Sequence, residues 1–296
     1  MKSAFLMHPP NINYIRRSWY KLARLWAGIL PNNIVEMIIK QTTPYIHSKF
    51  KIGNHESMIV ICPLTAKQMM CLPKNEVIKK LKKSCDVAYR NGAKIISLGA
   101  YSAIASNQGL DLIGKTKISL TTGRAYTIYS VMERVKPYLK KNSIVAIVGV
   151  DGAIGSTCAK LASKYKLIKI DKNNIQEVYK ADIIISASNT IGSIINPKKL
   201  KKNAIVVDAA KPVDISRCAS RDDLTIIDGG LIKIPGNANF KINFDCPPNV
   251  VYACMAEAFI LGMANKSGNY CVGRNININM IKEIGKLGDK FGFQVL

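Results

Sequence analysis

Short apolar runs alternate with stretches of helical spacing along most of this chain. Residues 4–8 (AFLMH), 58–62 (MIVIC) and 94–98 (KIISL) are runs of about five residues, the last two closed by Pro63 and Gly99. Runs of that length fit strands, and the β-branched MIVIC fits one buried in a sheet. Between the last two, residues 74–91 place Val77, Ile78, Leu81, Val87 and Ala88 at helical spacing. Further helical segments are expected around 16–29 and 35–46. Strand–helix–strand order of this kind predicts a parallel sheet in the first third.

After Thr121-Thr122-Gly123 the period becomes helical again from about Arg124, with Ile128, Val131 and Val135 on one stripe and Pro137 as the stop. The next stretch is regular: strand 144–148, a glycine turn, helix 156–164, strand 167–170 and a helix near 175–179. Strands 183–186, 204–207 and 224–227 follow. Past Pro247-Pro248 come a long apolar helix, 250–264, and a last amphipathic one, 279–291. The pattern predicts an α/β protein of two domains. Residues 124–247 form a Rossmann dinucleotide-binding domain, while 1–123 and 248–296 form an α/β catalytic domain from the N-terminal third and the C-terminal helices.

The glycine turn carries the first chemistry. Gly149, Gly152 and Gly155 stand at three-residue steps, with Val150, Ala153 and Ile154 between them, directly after an apolar strand. Glycine lets a backbone turn tightly against a pyrophosphate, whose charge then rests on the N–H groups opening a helix. Asp171 ends the next strand, about 22 residues after Gly149. A carboxylate there favours a ribose 2′-hydroxyl and so NADH, whereas Lys169 and Lys172 favour the 2′-phosphate of NADPH. Ala187 and Ser188 follow a later strand of the same unit, where backbone passes the cofactor.

Charge complicates the picture. The chain has 43 Lys and Arg against 19 Asp and Glu, a formal net charge of +24 over 296 residues. The basic clusters 79–83, 140–141 and 198–202 lie on polar faces or element ends, without interleaved aromatics that could stack on bases. That speaks against a nucleic-acid partner and leaves a lysine-rich surface or a face that attracts an acidic partner. The eight cysteines form no CxxC pair, and His8, His47 and His55 make no zinc pattern, so free thiols, no metal site and a cytoplasmic setting are expected. The apolar run at the N-terminus is too short for a signal peptide, and residues 250–264 fall short of a bilayer span and carry Glu257.

Cys254 lies in PPNVVYACMAEAFILG, where Asn249 is a candidate N-cap and Glu257 is on the same helix face. A thiol in the first turns of a helix is favoured as thiolate by the dipole, although a cysteine in an apolar helix is more often a packing residue. His8 is read as a satisfied structural histidine before a proton donor.

Segments spread over nearly the whole chain resemble the long-chain acyl-[acyl-carrier-protein] reductases and their uncharacterised dehydrogenase relatives. They are FLMHP (5–9), CPLTAKQM (62–69), LGAYSAI (98–104), TTGRAYT (121–127), VGVDGAIGS (148–156) and ADIIISAS (181–188). DGGLIKIPG (228–236), YACMAEA (252–258), GRNI (273–276) and IGKLGDKFGF (284–293) continue the likeness. The resemblance implies an NADPH- or NADH-dependent reductase in which Cys254 takes a fatty acyl group from acyl carrier protein or acyl-CoA and releases it as an aldehyde. It also implies a substrate pocket touching Gly99, Ser102, Thr122 and Gly123, assistance by Mg2+, and peripheral membrane association. Asp171 departs from the family, whose members on long acyl chains tend to have a basic residue there. Two other readings stand beside it: an NAD(P)-dependent dehydrogenase of a small amino or hydroxy acid without a covalent step, and a basic binding protein with a vestigial cofactor turn.

Overall fold

The computed structural model describes residues 1–18, 28–190, 192–211, 213–216 and 221–296. The helix expected over 16–29 falls largely outside them; a described helix, Ile12–Ser18, overlaps its first residues. The protein is mixed α/β with parallel sheets, and the chain divides into two compact units.

The first unit comprises Met1–Gly123, Ile234–Gly273 and Lys290–Gly292. Its strands are β1 Ser3–Met7, β2 Tyr45–Ile52, β3 His55–Ile61, β4 Ile95–Leu98 and β5 Ser119–Thr121, in the order β2-β3-β1-β4-β5. All pairings are parallel except β2 with β3. Ala4, Leu6, Met58, Val60, Ile96 and Leu98 face Val77, Leu81, Cys85 and Ala88 of helix Lys74–Arg90. Helix Ala253–Met263 packs on β1, β3 and β4 as well. Helical cover of this kind is why these strands read as unbroken apolar runs.

Two elements differ from the sequence expectation. The helix expected over 35–46 is Asn32–Gln41, and β2 follows it. Thr42 is already extended and Pro44 disfavours helix at Thr43, after which Ser48, Phe50 and Ile52 turn inward while Lys49 and Lys51 turn out. The segment expected as one helix over 250–264 is a short strand, Val250–Tyr252, and then the helix. Asn249 is therefore not the N-cap: at φ +61 its side chain accepts from the Ala238 N–H at 3.3 Å, and Tyr252 holds the cap position.

The second unit comprises Arg124–Lys233, Arg274–Asp289 and Phe293–Leu296. Strands β6 Ile144–Val148, β7 Lys166–Ile170, β8 Ile183–Ser186, β9 Ile205–Asp208 and β10 Thr225–Asp228 form one parallel sheet, in the order β10-β9-β8-β6-β7. Chain direction across the sheet reverses at β6, which has β7 on one side and β8 on the other. Such a switch point opens a crevice beyond the C-terminal ends of the strands. Helix Ile278–Lys290, grouped from sequence with the first domain, lies mostly in this unit. Its Gly285 and Gly288 give a flat face to Tyr129 and Tyr126, and the Tyr129 hydroxyl donates to Asp289 at 3.0 Å. Conversely, Ile234–Gly273 groups with the first unit, where Phe240 packs edge-on against Phe50 with ring centres 4.8 Å apart. Among the described residues no helix is long and apolar enough to cross a membrane.

Candidate active site

Cys254 is the second residue of helix Ala253–Met263 and is half-buried. No side chain caps this helix, so its first N–H groups and the positive end of its dipole lie beside the thiol. The Ser97 hydroxyl, from β4, donates to the Cys254 carbonyl at 2.8 Å and ties the helix start to the sheet. Gly123 presses on the same spot: a Cβ there would lie 2.2 Å from the Cys254 Cα. Glu257, fully buried, accepts the Gly123 N–H at 3.2 Å and the Thr121 hydroxyl. The Thr122 hydroxyl donates to the Cys271 carbonyl at 2.6 Å. The Thr121–Gly123 backbone is thus fixed against the cysteine by hydrogen bonds on both sides.

Gly99 and Ser102 follow β4 at the same C-terminal end of the strands from which Thr122 and Gly123 leave β5. A Cβ on Gly99 would meet the Phe5 ring at 2.6 Å and the Leu6 carbonyl at 2.8 Å, so the turn needs glycine. Ala100 beside it sits at φ +43, a strained value for a residue with a side chain. Ser102 is fully buried, and its hydroxyl has no hydrogen-bond partner among the described residues. His8 follows β1 close by, buried, with Nδ1 3.1 Å from the Pro9 carbonyl and its ring edge-on to Tyr101. Burial pushes its pKa down to about 4, so it is neutral near pH 7. Cys62 and Cys158 are pushed up to about 12 by burial, and Cys85 is raised too, which makes these thiols poor nucleophiles.

The second unit presents its own candidate site at the end of β6. Gly149 turns the chain at φ +77, and its N–H donates to the Ile170 carbonyl at 3.0 Å. Helix Ala153–Leu161 begins earlier than expected from sequence, with Gly152 at its cap and no side-chain cap bond. Ala153, Ile154 and Gly155 form its first turn, and Val150 links β6 to it. A Cβ on Gly155 would lie 2.2 Å from the Gly149 carbonyl oxygen, so glycine is required for helix and turn to close. An open helix N-terminus after a glycine turn at a switch point fits a pyrophosphate. Asp171 follows β7, half-buried, and its Oδ1 accepts the Asn173 N–H at 2.7 Å. Lys169 and Lys172 beside it are exposed. Ala187 and Ser188 follow β8 and cross over the turn: a Cβ on Gly149 would lie 2.9 Å from both the Ala187 oxygen and the Ser188 Cα.

Residues that sequence reasoning did not single out stand in both sites: Ser97 in the first, Asp208 and Asp214 in the second. Asp208 ends β9, a strand-terminal carboxylate that could have been noticed; nothing local marks Ser97 or Asp214. Among the described residues no group of three or more His, Cys, Asp or Glu could hold a metal ion.

No family model matches the chain. It is 24% identical over 279 residues to aminotransferase PigE of Serratia sp., covering 81% of this chain but 32% of that protein, so it spans about a third of that relative's length. It is 24% identical over 314 residues to long-chain acyl-[acyl-carrier-protein] reductase of Synechococcus elongatus, covering 92% of this chain and 89% of that one. Glutamyl-tRNA reductase of Thermoplasma acidophilum is 24% identical over 256 residues, covering 74% of this chain and 61% of that one. Among solved structures, an aspartate racemase homologue from Pyrococcus horikoshii covers 77% of this chain and 94% of its own at 10% identity, with a TM-score of 0.31, too low to carry an argument.

Proposed function

We propose that this protein is an NAD(P)H-dependent reductase that converts a fatty acyl thioester, carried on acyl carrier protein or CoA, to the aldehyde through an acyl group held on Cys254. The observation that carries the reading is the placement of Cys254 at an uncapped helix N-terminus, braced by Gly123 and Glu257. Its thiolate adds to the thioester carbonyl. The N–H groups of the first helical turn can stabilise the oxyanion that forms, the carrier thiolate leaves and takes a proton, and the acyl group remains on Cys254. A reduced nicotinamide, when bound, supplies the hydride that turns the acyl carbon into aldehyde and returns the cysteine thiolate. Gly149, Val150, Gly152, Ala153, Ile154 and Gly155 would hold the pyrophosphate, with the ribose near Asp171 in a Rossmann-type unit. Gly99, Ser102, Thr122 and Gly123 would border the acyl group; with the Thr122 hydroxyl engaged, Ser102 is the hydroxyl left to meet a substrate.

The likeness across nearly full length to a protein named acyl-[acyl-carrier-protein] reductase, and in part to a second reductase, supports this reading. A formal charge of +24 suits an acidic carrier. A small-acid dehydrogenase would leave the braced cysteine without a task. Incubation with acyl thioester and NADPH or NADH should yield aldehyde and free carrier thiol. Cys254→Ser should keep its cofactor affinity yet lose at least about a thousandfold in turnover, since serine is a far weaker nucleophile at neutral pH. Wild-type turnover in that variant would refute the covalent route.

A further inference from the structure

Asp214 lies in the loop after β9 and is fully buried, and its carboxylate accepts three hydrogen bonds. Its Oδ2 takes the Ser186 hydroxyl at 2.5 Å and the Ser188 N–H at 3.1 Å, and its Oδ1 takes the Ser188 hydroxyl at 2.5 Å. Ser188 is thereby spent: its proton goes to Asp214, and its oxygen accepts the Thr190 N–H at 3.2 Å. Asp214 is itself held. Its N–H donates to Asp208 Oδ2 at 2.8 Å, the Ala210 N–H donates to Asp208 Oδ1 at 2.9 Å, and its carbonyl accepts the Ile194 and Ile195 N–H groups at 2.9 Å each. The loop so gripped lies on Gly149, with 2.9 Å between the Ala187 oxygen and the place a Gly149 Cβ would occupy.

From this geometry we infer that Asp214 is the positioning residue of the dinucleotide site, acting through Ser188 to set how far the 187–190 loop stands off the glycine turn. The inference rests on the reading of that turn as a dinucleotide site. Ser188 then contributes backbone and an anchor, and its hydroxyl makes no bond to the cofactor. Every bond to the Asp214 side chain has the carboxylate as acceptor, so the role calls for two acceptor oxygens. An amide leaves one acceptor oxygen for three donors, so a serine hydroxyl must turn round to accept, and the hold on the loop weakens without any change in side-chain size.

The test is titration of the full-length protein with NADPH and with NADH, well below the melting temperature of each variant. Asp214→Asn and Ser188→Ala should each raise the cofactor Kd about tenfold or more. Their combination should raise it no further than the worse single change, because both cut one linkage. Ser188→Thr, which keeps the hydroxyl, should restore binding to near the wild-type value. In turnover, the cofactor KM should rise in Asp214→Asn with kcat at saturating cofactor little changed. Wild-type Kd values in Asp214→Asn and Ser188→Ala would overturn the inference, even if both variants melt at lower temperature. A Ser188→Thr variant as weak as Ser188→Ala would overturn it as well. Wild-type protein that binds neither dinucleotide would instead overturn the reading of the glycine turn, and the inference with it.

Discussion

Gly123 stands at φ +74 with its α-carbon turned to the Cys254 backbone, so an added methyl meets both left-handed strain and a backbone overlap at 2.2 Å. Left-handed strain costs about 1–2 kcal/mol and forced overpacking about 1–3 kcal/mol, so Gly123→Ala should destabilise the protein by roughly 3 kcal/mol. Chemical denaturation would check this. A loss below about 0.5 kcal/mol would mean that the Thr121–Gly123 segment is not fixed against the cysteine as described. The sequence marks Gly123 and Cys254 as separate candidates in segments far apart along the chain. It does not say that they touch, nor that Glu257 accepts from Gly123, because those contacts follow from β5 lying beside β4 under one helix. Asn249 illustrates the reverse failure. Its position before an apolar run mimics an N-cap, yet the strand Val250–Tyr252 intervenes, and the helix opens on a tyrosine that caps nothing.

At the scale of elements, the turn after β6 gives a clean experiment. Gly152 sits at the helix cap with φ −79, so the backbone accepts a side chain, whose Cβ would lie 3.2 Å from the Gly149 carbonyl oxygen and need only a small shift, and aspartate is a favoured cap residue. Gly152→Asp should therefore leave the stability of the cofactor-free protein within about 1 kcal/mol, and it should still abolish the thermal shift produced by dinucleotide. For wild type at a hundred times Kd that stabilisation is about 2.7 kcal/mol. An equal shift in variant and wild type would remove the pyrophosphate from this turn. The five strands of the second unit's parallel sheet were legible to within a residue, since apolar runs between polar turns leave few alternatives, whereas the short strands Leu231–Lys233 and Gln294–Val295 were not expected. β2 was not, because a helical reading carried past Pro44 hid the alternation of SKFKI that buries Phe50 and Ile52. The last helix was recognised as amphipathic, but which unit it serves depends on Gly285 and Gly288 meeting Tyr129 and Tyr126, a match of surfaces that periodicity does not encode.

For the whole molecule, three groups, two of them buried and one half-buried, set the response to acid between pH 6.5 and 4.5. His8 and His55 are pushed down to about 4 by burial, from 6.5. A lowered folded-state pKa on a base means stability that is present above 6.5 and lost as pH falls toward 4, roughly 3 kcal/mol for His8. Asp208 is pushed up to about 6, first by burial and then by Asp214, against the pull of its backbone N–H donors. Its contribution has the opposite sign: full below about 4 and lost as pH rises through 6. Asp223, held near 2 by Arg221, acts only below this window. Two histidines against one aspartate predict a melting temperature that falls between pH 6.5 and 4.5, and falls more steeply in Asp208→Asn. A wild-type melting temperature that rises over that interval, or a flatter slope in the variant, would contradict the assignment.

The most direct test of the central claim is intact-protein mass spectrometry after incubation with a long-chain acyl thioester in the absence of nicotinamide. The account predicts one added acyl mass, released by hydroxylamine, mapped to Cys254 and missing from Cys254→Ser, while buried Cys62, Cys85 and Cys158 remain unmodified. No adduct, or an adduct that persists in Cys254→Ser, would contradict it.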